Sequence, residues 1–145
     1  MSALPSKLTL NVVTPEHELV HEEVDSVEIP AKRGYIGVLP GHAPLLTEVG
    51  LGELRYKKGG QLHWLAVVDG YAEVLPDRVI VLAEIGERAE EIDIDRAKAA
   101  LERARKRLGQ PGAPGIDWDR ASLALARALL RVQVAAHGGA ASDHE

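Results

Sequence analysis

Residues 87–108 read ERAEEIDIDRAKAALERARKRL, and the character of the chain changes within this stretch. Before it, short apolar runs alternate with turn residues; after it, alanine, leucine and arginine recur at helical spacing. Asp93 is suited to begin a helix from about Ile94 to Leu108, because its carboxylate can accept the free N–H groups of a first turn. We therefore predict strands on the N-terminal side of this stretch and helices on its C-terminal side.

The N-terminal part of the chain has the pattern of short strands. Apolar Leu8, Leu10 and Val12 alternate with their neighbours at a period of two. Seven further runs follow at residues 19–23, 27–29, 35–38, 54–56, 63–68, 71–75 and 79–83. We interpret residues 50–52 as a turn and Asp69-Gly70 as a tight hairpin between these runs. Many strands without intervening helices favour an antiparallel sandwich or a flattened barrel.

The C-terminal part indicates a second helix. The linker GQPGAPG at residues 109–115 cannot continue the first helix. Asp117 can then cap a helix from about Trp118 to Ala136, which Gly138 and Gly139 end. A short linker predicts that the two helices fold back as an antiparallel pair. The predicted organisation is α+β, with a β domain at residues 1–87, a helical hairpin at 88–137 and a disordered tail at 138–145.

Charge is distributed unevenly along the 145 residues. Residues 1–92 carry 8 Lys/Arg against 15 Asp/Glu, whereas residues 93–136 carry 9 Lys/Arg against 5 Asp/Glu. A basic arm on an acidic body suggests an anionic partner, with a solvated helix surface as the plain alternative. The chain has no cysteine, which excludes a disulfide scaffold, a thiolate metal site and a cysteine nucleophile.

Two features distinguish the helices. Each carries arginines at steps of seven and four, Arg96, Arg103 and Arg107 on the first and Arg120, Arg127 and Arg131 on the second. If both stripes lie on one side of the hairpin, they form a surface for phosphates or clustered carboxylates, although solvated helix faces would show the same residues. The second helix is also apolar around most of its circumference. It therefore needs burial on several sides, against the β domain, another protein, or each in turn.

No catalytic arrangement is present in the sequence. The six histidines are scattered, and no phosphate-binding glycine loop or nucleophile elbow occurs. His42, in the loop LPGHAP, is either a lone acid–base group or a loop histidine bonded to the backbone, and the second is the commoner case. We predict a chain without catalytic residues, without a metal site and without an apolar run long enough, at about 20 residues, to span a membrane.

The sequence resembles the epsilon subunit of bacterial F-type ATP synthase along most of its length. The resemblance rests on YIGVLPGHAPLLT at residues 35–47, VTPE at 13–16 and VIVLA at 79–83, and it extends to about Ala136. It implies a sandwich of about ten strands followed by a helix–loop–helix. It further implies a non-catalytic central-stalk subunit that couples rotation to ATP synthesis.

The resemblance also implies partners and a location. The β domain of such a subunit lies against the gamma subunit and the c-subunit ring of the proton-translocating complex. The hairpin either rests on the β domain or extends along gamma to the alpha and beta subunits, where it inhibits ATP hydrolysis. Residues implied in these contacts are Tyr35, His42, Arg120, Arg127 and Arg131. Tyr35 replaces a carboxylate found in some relatives. The expected location is peripheral, on the cytoplasmic face of the bacterial cell membrane, with no direct membrane contact.

A nucleotide site is implied as well. Some members of the family bind ATP through a motif that reads Ile92-Asp93-Ile94-Asp95-Arg96-Ala97 in this chain. The associated positions are Glu87, Arg103, Arg127 and Arg131. ATP would be a regulatory ligand and not a required cofactor, and Asp93 would be a helix cap even without it.

Two other functions compete with the regulatory subunit. The hairpin could be a free-standing ATP sensor, or its arginine stripes could bind nucleic acid. Nucleic-acid binding fits poorly with the acidic body and with an aromatic content of 3%, and none is expected.

Overall fold

The computed structural model describes residues 4–110, 115 and 117–141. The strands in this part of the chain are β1 (Leu8–Val13), β2 (Glu18–Val24), β3 (Ser26–Ala31), β4 (Gly34–Val38), β5 (Leu45–Lys58), β6 (Gln61–Leu75) and β7 (Arg78–Arg88). A 3₁₀ turn at Ala89–Glu91 leads into the helices, which are α1 (Ile94–Leu108) and α2 (Trp118–Ala141).

The strands form one sheet with the order β2-β1-β7-β6-β5-β3-β4. Neighbouring strands are antiparallel except for β1 and β7, which run parallel. Residues from opposite ends of the sheet, such as Leu10 of β1 and Ile29 of β3, belong to the same buried cluster. The sheet therefore folds over on itself and encloses an aliphatic core. The predicted α+β class with a β-sandwich and a helical hairpin is confirmed.

The strands are fewer and longer than expected. The family resemblance implies about ten, whereas the described residues contain seven, because β5 has 14 residues and β6 has 15. The turn expected at residues 50–52 lies inside β5, and the hairpin expected at Asp69-Gly70 lies inside β6. Both predictions were wrong for the same reason, since glycine permits a bend within a continuous strand as readily as a reversal.

Gly70 shows why the Asp69-Gly70 pair was mistaken for a hairpin turn. Asp69 and Gly70 have φ angles of 58° and 128°, values typical of a tight turn. Here, however, Gly70 pairs with Val49 on one side and Ala83 on the other, so the ladder continues through it. A Cβ at Gly70 would lie 1.9 Å from the carbonyl oxygen of Leu82, which only glycine avoids. The position is a bend where two strand backbones approach closely.

Both helices begin where the sequence predicts. Asp93 Oδ1 accepts the backbone N–H groups of Asp95 and Arg96 at 3.1 and 3.2 Å, and α1 covers Ile94–Leu108 as expected. Asp117 Oδ1 accepts the N–H of Arg120 at 3.2 Å at the start of α2. The end of α2 was predicted wrongly, because the helix continues through Gly138 and Gly139 to Ala141. Residues 111–114 of the predicted linker, residue 116 and residues 142–145 of the predicted tail lie outside the described residues.

The hairpin rests on the β domain through α2. The buried residues of α1, Ala97, Leu101 and Ala104, form a single stripe against α2. Helix α2 has two buried faces. One consists of Ala121, Ala128 and Ala135 at heptad spacing, and the other, with Leu130 and Val134, packs over Ala66 and Val68 of β6. The apolar surface around α2 is thus divided between α1 and the sheet.

Candidate functional site

The arginine stripes of the two helices lie on the same side of the hairpin. In α1 the arginines are rotated about 100° from the mean direction of the buried stripe Ala97, Leu101 and Ala104, and in α2 about 80° in the same sense from the alanine face that includes Ala128. In an antiparallel pair, equal offsets of the same sense place both stripes on one side. Further rotation in that sense leads to the sheet-facing residues of α2. The arginines therefore lie on the side of the hairpin where α2 meets the β domain, and this side is called the cleft below.

One arginine of this cleft is already fixed by the β domain. Arg131 makes a two-pronged contact with Glu87 at the end of β7, with Nε to Oε1 at 2.7 Å and Nη2 to Oε2 at 3.0 Å. Both side chains are about one-third exposed, at 34% and 30%. The planar guanidinium matches both carboxylate oxygens, so the pair has one preferred geometry. It joins α2 to the sheet and holds the position of Arg131.

Several residues of the predicted nucleotide motif have roles within the fold itself. Ile92 and Ala97 are buried and contribute to the apolar contact between the hairpin and the sheet. Asp93 uses Oδ1 as a helix cap, and its Oδ2 lies 3.9 Å from Nε of Arg96. The structure therefore gives Ile92, Asp93 and Ala97 clear structural roles.

The remaining arginines keep their guanidinium groups at the surface. Arg96, Arg103, Arg107, Arg120 and Arg127 are all exposed. The three of α1 and the two of α2 share the cleft side with Arg131 by helical periodicity. A hairpin bearing several exposed guanidiniums beside one fixed guanidinium is suited to an anion with several phosphates.

Of the predicted partner residues of the β domain, Tyr35 lies beside α2, and His42 lies in a loop. Tyr35 of β4 is 56% exposed, and its hydroxyl accepts the N–H of Glu53 at 3.3 Å. His42 donates from Nδ1 to the carbonyl oxygen of Ala43 at 2.6 Å. The backbone of the His42 loop is anchored to the sheet through the N–H of Gly41, which donates to Pro76 at 2.7 Å. His42 is thus bonded to the backbone, as the commoner of its two interpretations expects.

An exposed apolar patch on the sheet was missed by the sequence interpretation. Leu46, Tyr71 and Leu82 come from the three adjacent strands β5, β6 and β7 and are 70%, 56% and 54% exposed. Tyr71 and Leu82 are direct partners in the β6–β7 ladder. All three are apolar residues at outward positions of their strands, and such residues are the signal that could have identified the patch.

A second contact between α2 and the sheet was also missed. His137, near the end of α2, lies over Trp64 of β6 and beside Glu53 of β5. The sequence interpretation ended the helix one residue before His137, so no signal placed this side chain on a face. With the helix extended to Ala141, His137 falls on the side of the sheet-facing stripe away from the arginines.

No group of three or more His, Cys, Asp or Glu among residues 4–110, 115 and 117–141 is arranged to hold a metal ion. Neither helix in this part of the chain is both long and apolar enough to cross a membrane.

Comparisons with known proteins point to one family along nearly the whole chain. The model described as "ATP synthase, Delta/Epsilon chain, beta-sandwich domain" matches residues 7–89, and that described as "ATP synthase, Delta/Epsilon chain, long alpha-helix domain" matches residues 90–136. An ATP synthase epsilon chain of Solibacter usitatus is 52% identical over 132 residues, which are 91% of this chain and 98% of that one. The epsilon chain of Geobacter metallireducens is 48% identical over 132 residues, covering 91% and 96%.

Solved structures show the same fold. A chain in the mitochondrial ATP synthase of Euglena gracilis, a structure of OSCP, F1 and the c-ring, aligns with a TM-score of 0.77 at 24% identity, covering 94% of this chain and 85% of that one. A chain in the central stalk and c-ring of the Tetrahymena thermophila mitochondrial ATP synthase aligns with a TM-score of 0.56 at 11% identity, covering 94% and 98%. From the two domain matches and the identity to curated relatives, this chain belongs to the epsilon-chain family of ATP synthases.

Proposed function

We propose that the hairpin of this chain inhibits ATP hydrolysis by the synthase when it leaves the β domain, and that ATP binds to the hairpin in its docked position. As a member of the family, the chain is a non-catalytic central-stalk subunit of ATP synthase, a complex of ATP synthesis and ion transport. The proposal concerns how it regulates that complex. The observation that carries it is the cleft of arginines beside the Glu87–Arg131 pair.

Movement of the hairpin is supported by the apolar surface that docking leaves uncovered. Trp118, Leu123 and Leu129 of α2 are 41%, 54% and 40% exposed in the docked position. Leu123 precedes Leu130 by seven residues and therefore lies on the same side of α2, yet more than half of it is exposed. A helix with unused apolar surface gains burial when it moves to a longer partner. In our proposal that partner is the gamma subunit, with the alpha and beta subunits at its far end.

The contacts of the β domain follow from its own exposed residues. We assign the Leu46–Tyr71–Leu82 patch to the gamma subunit, because an apolar patch on three adjacent strands requires a protein partner. Tyr35 and the His42 loop are assigned to the c-subunit ring, and Arg120, Arg127 and Arg131 to acidic groups of the catalytic subunits. The solved neighbours come from assemblies that contain a c-ring. The assembled complex would lie on the cytoplasmic face of the bacterial membrane and use protons.

Nucleotide binding is supported by the chemistry of the cleft. Arg96, Arg103 and Arg127 offer exposed guanidiniums for a triphosphate, and the Glu87–Arg131 pair holds one further guanidinium in place. Asp93 and Glu87 have carboxylate oxygens that accept from ribose or adenine. Because these groups come from both helices and from β7, ATP would bind only the docked hairpin and would stabilise it.

The inhibitory role is tested by removing residues 93–145 and measuring ATP hydrolysis by the assembled complex. We expect faster hydrolysis at low ATP with the truncated chain still bound, since the core of the sheet and its exposed patch consist of residues before 93. Unchanged hydrolysis in a complex that retains the truncated chain would remove the inhibitory role.

The nucleotide role is tested by titrating the full chain with ATP. Arg127→Ala should weaken binding by about tenfold, the usual effect of losing one charge-assisted contact. Arg105→Ala is the matched control, because Arg105 is exposed on the other side of α1 and pairs with Glu102. Equal affinities of the two variants would show that ATP, if it binds, does not use the cleft.

A further inference from the structure

Helix α2 is attached to the sheet by polar contacts on both flanks of its apolar face. On one flank lies the Glu87–Arg131 pair. On the other, the imidazole of His137 stacks on the indole of Trp64, with ring centroids 4.3 Å apart and planes inclined by 8°. Nε2 of the same imidazole lies 3.2 Å from Oε1 of Glu53. Arginine keeps its charge at all relevant pH values, whereas imidazole changes its charge between about pH 5 and 8.

We propose that His137 is a pH-sensitive clasp that holds the end of α2 on the sheet when the imidazole is protonated and weakens that hold when it is neutral. The meaning of this clasp for the synthase rests on the proposed inhibitory role of the hairpin. The clasp itself belongs to the isolated chain and does not depend on that role.

Both contacts of His137 favour the protonated ring. A cation over an indole face within about 6 Å is attracted by the negative face of the ring system, and stacking at 4.3 Å meets this condition. A protonated Nε2 also gives Glu53 a positive partner in place of a neutral donor. The undocked helix has neither contact. Docking is therefore strengthened at low pH and loses this contribution as the pH rises and the imidazole becomes neutral.

The register of β5 and β6 places the two residues that contact His137 on one face of the sheet. Glu53 pairs with Ala66, and Arg55 pairs with Trp64, so all four residues lie on the face toward α2. Arg55 is engaged by Glu28 at 2.6 Å, which leaves Glu53 as the carboxylate that faces the imidazole from β5.

Among the described residues, none of the other titratable groups around the end of α2 forms an ion pair with His137. From the turn after β7, Glu90 lies 3.9 Å from Nε of Arg88, and Glu91 is exposed. From β4, the hydroxyl of Tyr35 accepts the N–H of Glu53 and is uncharged near neutral pH. The nearest basic residue described on α2 itself is Arg131, which is bound to Glu87. Among the described residues, Glu53 is therefore the carboxylate in contact with the imidazole of His137.

The test measures the position of the end of α2 as a function of pH. The full chain has no cysteine, so cysteines introduced at the exposed positions Gln61 and Ala136 carry two spin labels at unique sites. The ratio of docked to undocked helix should be about fivefold higher at pH 5.5 than at pH 8, given the modest strength of exposed cation–π and ion-pair contacts. His137→Gln, which keeps a polar side chain without titration, should abolish the pH dependence.

Two further variants make the result specific. Glu53→Gln should reduce the pH dependence, because the neutral amide keeps the shape of the side chain but not the charge. His21→Gln is the matched control, since His21 of β2 is exposed and pairs with Glu18 away from α2; it should keep the full pH dependence. A label distance that is independent of pH in the unmodified chain, or a pH dependence that survives His137→Gln, would overturn the clasp. Neither result depends on whether the hairpin inhibits hydrolysis.

Discussion

At the scale of single residues, Tyr56 has the most perturbed environment of the core. Its side chain is the largest of those fully enclosed by the sheet, and its hydroxyl donates to Oε2 of Glu22 at 3.2 Å. Burial, with the negative charge of Glu22 beside it, raises the pKa of Tyr56 to about 12. The phenol therefore stays neutral in the folded protein at pH values where an exposed phenol ionises.

Tyr56 makes the stability of the protein sensitive to alkaline pH. The unfolded chain releases the phenol proton near pH 10 and the folded chain near pH 12, so the free energy of unfolding should fall by about 2 kcal/mol between these values. Urea unfolding at pH 9 and pH 11.5 measures the difference. Tyr56→Phe should lack this part of the fall, whereas Tyr71→Phe, at an exposed position, should retain it. Identical pH profiles for the two variants would contradict the assignment.

At the scale of elements, Asp93 decides where α1 begins. The preceding strand β7 ends at Arg88, and the turn Ala89–Glu91 directs the chain away from the sheet. The two N–H groups that Asp93 accepts would otherwise be left without an intrahelical partner. The same residue is a member of the proposed nucleotide site, so its two roles need to be separated.

Substitutions at Asp93 separate helix capping from nucleotide binding. Asp93→Ala should destabilise the hairpin by about 1 kcal/mol, because the cap is lost. Asp93→Asn keeps the capping oxygen and should leave the thermal unfolding of the helices nearly unchanged. If Asp93→Asn nevertheless weakens ATP binding, the carboxylate acts on the ligand; if only Asp93→Ala weakens it, the residue acts through the helix. A stable Asp93→Ala hairpin would show that the cap contributes nothing.

At the scale of the whole molecule, the docked position of α2 depends on a few side chains. Leu130 and Val134 are 4% and 0% exposed and pack over β6, while Leu129 next to them remains exposed. The sheet has a separate core formed by β-strand residues alone. The hairpin can therefore detach without unfolding the sheet.

Leu130→Ala should release the hairpin from an otherwise folded protein. Removing a buried leucine side chain costs about 2–4 kcal/mol, which is comparable to what holds one helix on a sheet. Brief digestion with trypsin should cut the Lys- and Arg-rich α1 faster in this variant, with the β domain intact. Leu129→Ala, a change of the same size at an exposed position, should be digested like the unmodified chain. Equal digestion of both variants would mean that Leu130 does not hold the hairpin.

Local interactions were predicted correctly from the sequence, whereas features that depend on packing were not. Asp93 and Asp117 placed the helix starts correctly, since a cap is a local interaction between neighbours in sequence. Asp69-Gly70 was wrongly predicted as a hairpin, because its backbone conformation is the same in a turn and in a bend within a strand. Gly138 and Gly139 were wrongly predicted to end α2. The backbone of Gly138 lies against Ala89, and a Cβ at this position would be only 3.1 Å from the carbonyl oxygen of Ala89. The glycine therefore allows α2 to pack closely on the turn after β7.

The candidate site also combines features that the sequence predicted with features that depend on the tertiary structure. Helical spacing alone predicted that each helix carries its arginines on one face, because periodicity is a property of the chain itself. That the two faces lie on one side, that Glu87 fixes Arg131, and that Glu53 and Trp64 meet His137 were decided by the tertiary structure. Each of these contacts joins residues far apart in sequence, and sheet register and helix docking brought them together. The sequence by itself thus determined the α+β division at residues 87–108 and the chemistry that the hairpin carries, while packing decided where that chemistry faces.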